Sequence, residues 1–141
     1  VGGDRERWAW EGGTGVGGVR GTASWRGESG AGGDWTGADL PGADVTRVSL
    51  VGAILSDTDL TGANLTGAAL SDRDLTGANL TGAALAASDL RNVNLTGMDL
   101  SGADLSDANL TDTNLSGVNL TNSNLSGADL LHTDLSGAKL I

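Results

Sequence analysis

Leucine recurs at every fifth position along most of this chain. From Leu40 to Leu140 every fifth residue is Leu, and Val45 is the one exception. The residue before each Leu is usually Asp or Asn, and the residue two before it is small, most often Ala. Ser or Thr usually follows the Leu, and Gly often comes next. The repeating unit of the sequence is therefore five residues long.

A five-residue period fits neither a helix nor a flat strand. An α-helix turns about 100° per residue, so five-residue steps would spread the Leu side chains around its whole surface. A flat strand alternates faces, so an odd step would send successive Leu to opposite sides. A chain that runs straight for about three residues and turns after each Leu keeps every Leu inside, and Ser/Thr-Gly pairs suit such turns.

Four sides of five residues close one square coil of 20 residues. The run of repeats predicts an all-β fold, a parallel β-helix of about five coils stacked at about 4.8 Å. The small residue two before the Leu shares its inward face. The Asp or Asn between them is expected to hold the turn through a side-chain bond to nearby backbone amides. The phrase TGANLTGAAL occurs at 61–70 and 76–85, and its fifteen-residue offset places the two copies on different sides.

The first 35 residues follow a different pattern. Residues 1–35 hold all four Trp and half of the 24 Gly, but no Leu, Ile or Phe. We interpret them as a Gly/Trp-rich segment, flexible or serving as an N-terminal cap, in which Trp35 in particular folds over the end of the rod. The GxGxxG at 13–18 lacks the flanking strand and helix of a dinucleotide site. Residues 36–141 form the repeat domain.

Charge and composition narrow the functional classes. The net charge of −10 argues against direct nucleic-acid binding and against anionic membranes, and favours a basic surface on any charged partner. The chain has no Cys, which excludes disulfides and thiolate chemistry. No apolar run reaches a membrane span and no signal peptide is visible, so we expect a cytoplasmic protein.

Stacking at a period of 20 maps the outer surface. One polar column is predicted at the corner between the third and fourth sides. It comprises Asp72, Asp74, Asn92, Asn94, Asp112, Asn114, His132 and Asp134. The candidate partner-binding residues are its carboxylates, Asp72, Asp74, Asp112 and Asp134. The alternative interpretation is a solvated face that keeps the rod soluble.

Three further side chains bear on this column. Arg73 takes a slot where Ala is usual, which predicts a local bulge that carries its guanidinium to solvent near Asp72 or Asp74. Arg91 is expected to neutralise part of the column. His132, the single histidine, forms at most a surface pair with Asp134. Because no second histidine or buried base accompanies the hydroxyls, we expect no catalysis, no metal and no cofactor.

The pattern A(D/N)LXX, as in GADLSDANLTDTNL at 102–115, resembles the pentapeptide-repeat family. The resemblance covers residues 36–141 and implies a right-handed quadrilateral β-helix. The family's best-known members are quinolone-resistance proteins, acidic dimeric rods that mimic DNA and bind type II topoisomerase. This chain lacks the Phe that those proteins use at the centre, and shows neither a capping helix nor a projecting loop. The resemblance therefore implies a scaffold or interaction rod of unassigned protein partner, with a DNA-mimicking regulator of DNA gyrase as the alternative.

The sequence stops in the middle of the pattern. Leu140 and Ile141 follow the repeat without a polar cap. Solenoids need their end coils covered, so the last coil is a candidate for end-to-end homodimerisation, or else the chain is a fragment.

Overall fold

The computed structural model describes residues 31–140. The interpretation of the Gly/Trp-rich segment concerns mainly residues 1–30, which lie outside the described part. Within residues 31–140 there is neither a helix nor a continuous strand, and the backbone alternates two-residue turns with single bridge residues. The bridge residue is the one before each central Leu, such as Asp39 or Asp59.

The bridges are all parallel and join residues 20 apart, as in Asp39 with Asp59 and Asn119 with Lys139. Two hydrogen bonds make each link. The amide of Leu40 donates to the Asp59 carbonyl oxygen at 2.8 Å, and the amide of Asp59 donates to the Ala38 carbonyl oxygen at 2.8 Å. The coil therefore contains 20 residues, which confirms the predicted parallel β-helix.

The four sides can be numbered by their central residues. Side 1 carries Leu40 and every twentieth residue after it, side 2 begins at Val45, side 3 at Leu50 and side 4 at Trp35. Every corner between sides is a hydrogen-bonded turn, since for example the Ala43 amide donates to the Leu40 carbonyl oxygen at 3.1 Å. Central residues and the small residues two before them face inward, so both classes are buried through most of the rod.

The corners have the geometry of type II turns. Every fifth residue from Gly32 to Gly137 has a positive φ, the conformation that such a turn requires at its third position. Gly adopts it without steric cost. The residues that adopt it without being Gly are Arg47, Asp57, Asp72, Ala87, Asn92, Asp107, Asp112, Asn122 and His132.

The Asp or Asn before each central residue holds the next turn. The Thr61 amide donates to Asp59 Oδ1 at 3.0 Å, and the Thr66 amide donates to Asn64 Oδ1 at 3.1 Å. The same bond recurs on all four sides and confirms the role predicted for this position. Because Asp and Asn both supply the acceptor, replacing one by the other leaves the turn intact.

Trp35 is part of the rod itself. It fills the first central position of side 4, is 8% exposed and packs in the core. Its amide donates to the Ile54 carbonyl oxygen at 2.8 Å, and the neighbouring Asp34 forms a bridge with Ile54. The ladder thus includes Asp34 and Trp35, ahead of the first central leucine.

Two long side chains stand in the inner slot that small residues otherwise fill. Arg73 and Met98 are only partly buried there. Among the described residues, Asp74 forms no bridge, and Asn79 does not pair with Asp99 in the next coil. The bore is narrow, so a long side chain displaces its strand. Beside Arg73 the bridges to both neighbouring coils are lost, whereas beside Met98 only the bridge to the preceding coil is lost and Asp99 still pairs with Asn119.

The last described coil leaves its inner side chains accessible. Leu130 is 38% exposed and Leu140 is 61% exposed, while central leucines in the middle of the rod are covered on both sides. End-to-end homodimerisation through this coil stays a prediction.

Substituting two leucines of side 1 should lower the stability of the fold by clearly different amounts. Leu80→Ala empties a fully buried central position and should lower the free energy of unfolding by about 3 kcal/mol. Leu140→Ala removes a side chain that is largely exposed and should lower it by less than about 1 kcal/mol. Urea unfolding followed by circular dichroism measures both. Equal losses would contradict this packing, or would show that Leu140 is covered by another molecule.

Gly77 and Gly97 provide a second matched pair, in one column of corners. Both have positive φ, but a Cβ on Gly77 would lie 2.1 Å from Asp57 Oδ1, whereas a Cβ on Gly97 meets nothing within 4 Å. Gly97→Ala should cost about 1 kcal/mol from backbone strain, and Gly77→Ala should cost more. The excess should vanish in an Asp57→Ala background, as measured by thermal unfolding. An excess that persists there would refute the contact.

Candidate functional site

The predicted polar column forms one edge of the rod, where side 3 turns into side 4. We call it the Asp72 edge and define it by two lines of residues. Its turn residues are Asp72, Asn92, Asp112 and His132, and its strand residues are Asp74, Asn94, Asn114 and Asp134. All of them are exposed.

Contacts between successive coils align this edge. Asn94 forms a bridge with Asn114, which forms a bridge with Asp134. His132 Nδ1 lies 3.2 Å from Asp112 Oδ1, exactly one coil of 20 residues away along the chain. The structure thus brings Asp72, Asp74, Asp112 and Asp134 to one edge, and partner binding by these carboxylates stays a prediction.

The ladder of side 4 is interrupted at this edge. Among the described residues, Asp74 pairs neither with Ile54 in the coil before it nor with Asn94 in the coil after it. Arg73 is the cause, because its long charged side chain cannot be buried in the narrow bore without a partner. The predicted local distortion is therefore present.

The Arg73 side chain is partly buried and is held by a backbone carbonyl of its own turn. Its Nε donates to the Ser71 carbonyl oxygen at 2.9 Å, and within residues 31–140 no ion pair joins it to Asp72 or Asp74. The guanidinium also lies close to the corner at Gly52. The carbonyl of the same turn is the acceptor that Arg73 uses, and neither carboxylate of this coil is bonded to its guanidinium.

Arg91 and His132 each pair with a carboxylate. Arg91 binds Asp89 on side 3 through two hydrogen bonds, at 2.8 and 2.6 Å, and this pairing lowers the pKa of Asp89 and raises that of Arg91. The charge of Asp72 also raises the pKa of Arg91, so Arg91 offsets part of the charge of the edge, as predicted. His132 pairs with Asp112 rather than with Asp134, because stacked corner positions lie closer than positions two apart on one coil. No group of three metal-ligating side chains occurs among the described residues.

Hydrogen bonds keep two of the edge carboxylates ionised. The Thr76 hydroxyl, followed by the Thr76 amide, lowers the pKa of Asp74. The Ser136 amide and hydroxyl lower the pKa of Asp134. Both carboxylates are therefore fully ionised at neutral pH, and they stay ionised to a somewhat lower pH than an ordinary Asp does.

Sequence reasoning missed an apolar part of the same edge. Val51 is 60% exposed and Ile54 is 47% exposed, and both lie at this corner one coil before Asp72 and Asp74. We call Val51 and Ile54 the apolar pair. The signal was present in the sequence, since Ile54 stands where Asp or Asn usually supplies the turn acceptor. Exposed apolar side chains beside charged ones are typical of protein-binding surfaces.

A helix able to cross a lipid bilayer is not found anywhere in residues 31–140.

The lowered pKa values of the turn-holding Asp residues predict a direction of pH dependence. A carboxyl with a lower pKa in the folded state than in the unfolded state stabilises the fold above the unfolded pKa, about 4, and loses this effect as pH falls through its folded pKa. In salt high enough to screen surface repulsion, the thermal midpoint should stay flat from about pH 7 to 5 and fall below about pH 4.

A variant with Asp74, Asp99, Asp104 and Asp134 changed to Asn is the control for that titration. Asn keeps the turn acceptor but does not titrate, so the acid-side fall in thermal midpoint should be smaller. A midpoint that rises between pH 4 and 3 would show that charge repulsion outweighs the hydrogen bonds.

Comparison with known proteins identifies the repeat. The family model for pentapeptide repeats matches residues 34–67, 68–107 and 103–140. A search of curated protein sequences gave no match.

Three similar solved structures are all pentapeptide repeat proteins. HetL, described as involved in heterocyst differentiation regulation in the cyanobacterium Nostoc, is 28% identical over 84% of this chain and 77% of its own, with a TM-score of 0.39. Rfr23 from the cyanobacterium Cyanothece is 26% identical over 86% and 82%, with a TM-score of 0.48. QnrB1, a plasmid-mediated fluoroquinolone resistance protein, is 20% identical over 85% and 73%, with a TM-score of 0.48.

The family match covers the whole length of the ladder and agrees with its five-residue sides and 20-residue coils. This chain belongs to the pentapeptide repeat family, and its fold is the right-handed quadrilateral parallel β-helix of that family.

Proposed function

We propose that this protein is a non-enzymatic, cytoplasmic interaction rod that binds a basic, partly apolar surface of a partner protein through the Asp72 edge. The observation that carries the proposal is the coincidence, at one edge, of exposed carboxylates and the exposed apolar pair. Neither feature is needed by the core, because Asn64 holds the same position as Ile54 two sides away and maintains its turn.

The distribution of charge supports a basic partner. The acidic and basic residues of the first 30 positions cancel, four against four, so the net charge of −10 falls on the remainder of the chain. The acidic residues there are all Asp, whose short side chains hold the charge close to the backbone. A negative rod attracts basic surfaces over about one Debye length, roughly 8 Å in physiological salt.

A matched pair of charge variants tests the edge. The edge variant changes Asp72, Asp74, Asp112 and Asp134 to Asn. The control variant changes Asp57, Asp59, Asp99 and Asp107 to Asn, at the same two repeat positions on other edges. Asn occurs naturally at both positions, in Asn92 and Asn94, so both variants should fold and carry the same net charge.

The wild-type protein and the two variants are each immobilised, and the proteins that each one retains are identified by mass spectrometry. Binding of each identified protein is then measured with purified components. The proposal predicts a partner that binds the wild type and the control variant equally well. The same partner should bind the edge variant at least tenfold more weakly, a loss of about 1.4 kcal/mol in binding free energy. A partner that both variants bind equally would show that the edge is only a solvated face.

The second candidate is a DNA-mimicking regulator of DNA gyrase. The acidic charge of the rod favours it, as do carboxylates that remain ionised at neutral pH. The spacing fits less well. Each DNA strand presents a phosphate every 3.4 Å or so along its axis, whereas Asn92 and Asn94 leave one coil of the Asp72 edge without charge.

A gyrase supercoiling assay with purified protein separates the two candidates. Mimicry predicts inhibition, or protection from a quinolone, at micromolar concentration, and predicts that the edge variant loses the effect. Absence of both effects would remove mimicry and leave the interaction rod.

A further inference from the structure

The described part of the chain begins at the Asp72 edge. Gly32 occupies the corner between sides 3 and 4 in the first coil, directly before Val51 and Ile54 in the second. Its amide donates to the Val51 carbonyl oxygen at 2.9 Å, and the Ile54 amide donates to the Gly33 carbonyl oxygen at 2.9 Å. Residues 1–30 are therefore attached to the rod beside the apolar pair.

Moving along the rod from this attachment, the edge changes from apolar to acidic. Val51 and Ile54 lie one coil away from Gly32, about 5 Å, and Asp72 and Asp74 lie two coils away, about 10 Å. The ladder is interrupted between these two levels, and the Arg73 side chain lies close to Gly52 and forms no ion pair with either carboxylate. A ligand for this surface needs an aromatic or aliphatic group followed by a cation.

The attached segment contains that combination. Trp25 and Arg26 are adjacent, and Arg20 lies five residues before Trp25. Trp25 lies six positions before Ala31, and an extended chain over six positions spans roughly 20 Å. The segment is thus long enough to reach both levels of the edge. Trp packs well on aliphatic side chains, and Arg forms the strongest side-chain hydrogen bonds to carboxylates.

We propose that residues 20–26 of this chain bind the Asp72 edge. Trp25 packs on the apolar pair, and Arg20 and Arg26 pair with Asp72 and Asp74. The contact itself does not depend on the proposed function. Only its consequence, competition with a partner for the edge, rests on the proposed function. The edge is then occupied by the chain itself, and a partner with stronger basic and aromatic groups must displace the segment.

Tethering favours this occupant over a second copy of the chain. Covalent attachment through a short stretch of chain gives a segment an effective concentration of about a millimolar, well above the concentration of a typical cellular protein. The other edges lack this combination of exposed apolar side chains and carboxylates near Gly32. Among the described residues, the exposed large apolar side chains at strand or turn positions are Val51, Ile54 and Leu131, and Leu131 lies four coils further along the rod than the apolar pair.

Engineered cysteines test the contact, since the natural chain has none. The test pair is Ser24→Cys with Ser71→Cys, which lies on side 3 in the coil after Val51. The control pair is Ser24→Cys with Thr61→Cys, which holds the same repeat position on the opposite side of the rod and is nearer to Gly32 along the axis. Both target residues are partly buried, and an unbiased chain would reach either.

Disulfide formation in a glutathione redox buffer gives the effective concentration of each pair. We expect the Ser71 pair to exceed the Thr61 pair at least tenfold, independently of protein concentration. The preference should be lost in Trp25→Ala. It should also be lost in Ile54→Asn, which introduces the usual repeat residue and supplies a turn acceptor, as Asn64 does, so the rod still folds.

Equal effective concentrations for the two pairs would overturn the proposal. A preference for the Ser71 pair that survives both substitutions would also overturn it. A preference that appears only as the protein concentration rises would overturn it too, because the contact would then join two copies of the chain. None of these outcomes depends on a partner. Failure of the segment contact is thereby distinguished from failure of the partner-binding experiment, in which the edge itself is changed.

Discussion

The structure depends on one constraint, a turn closed every five residues with its third residue at positive φ. That turn keeps each central Leu inside and aligns each side with the side one coil away. Three features stabilise the turn. An amide donates a hydrogen bond to a carbonyl oxygen across the corner, an Asp or Asn before the Leu accepts from the amide after it, and the residue at positive φ is usually Gly. Because each of these features repeats, coils stabilise their neighbours and the rod tolerates considerable variation in its outward residues.

Variation in the inward residues is tolerated much less. Where stacked inner slots in adjacent coils both carry Ala, Val, Ser or Thr, the bridge between those coils is kept. Buried hydroxyls find carbonyl partners there, as when Thr113 donates to the Leu90 carbonyl oxygen at 2.8 Å. Arg73 and Met98 are too long, and bridges are lost beside each of them. At Arg73 the loss falls on the edge that also carries the apolar pair and the exposed carboxylates.

The repeat geometry could be predicted from the sequence because it follows from local rules. The period determines which residues are buried, and the position of Asp59 or Asn64 before Leu determines the acceptor that holds the turn. The hydrogen-bond partners of Arg73 and Arg91, which are Ser71 and Asp89, were not predicted, and His132 pairs with Asp112 instead of the predicted Asp134. Each of these side chains has several acceptors within reach, and differences of a few ångströms between stacked and sequential positions decide the outcome.

The apolar pair was predictable in principle, since Ile54 breaks the Asp/Asn rule, but only the structure shows that it adjoins Asp72 and Asp74. The partner, by contrast, leaves no local mark in the sequence. Its identity depends on a complementary surface in another molecule, and the repeat pattern constrains only the rod's own hydrogen bonds and core.

Amide hydrogen exchange tests most directly whether Arg73 opens the ladder at this edge. Asn64 and Asn94 hold the same repeat position, and both lie within the rod. The Asn64 amide donates to the Ala43 carbonyl oxygen at 2.8 Å, whereas among the described residues the Asn94 amide has no backbone acceptor. The account predicts strong protection at Asn64 and fast exchange at Asn94 and Asp74. Equal protection at all three amides would contradict it.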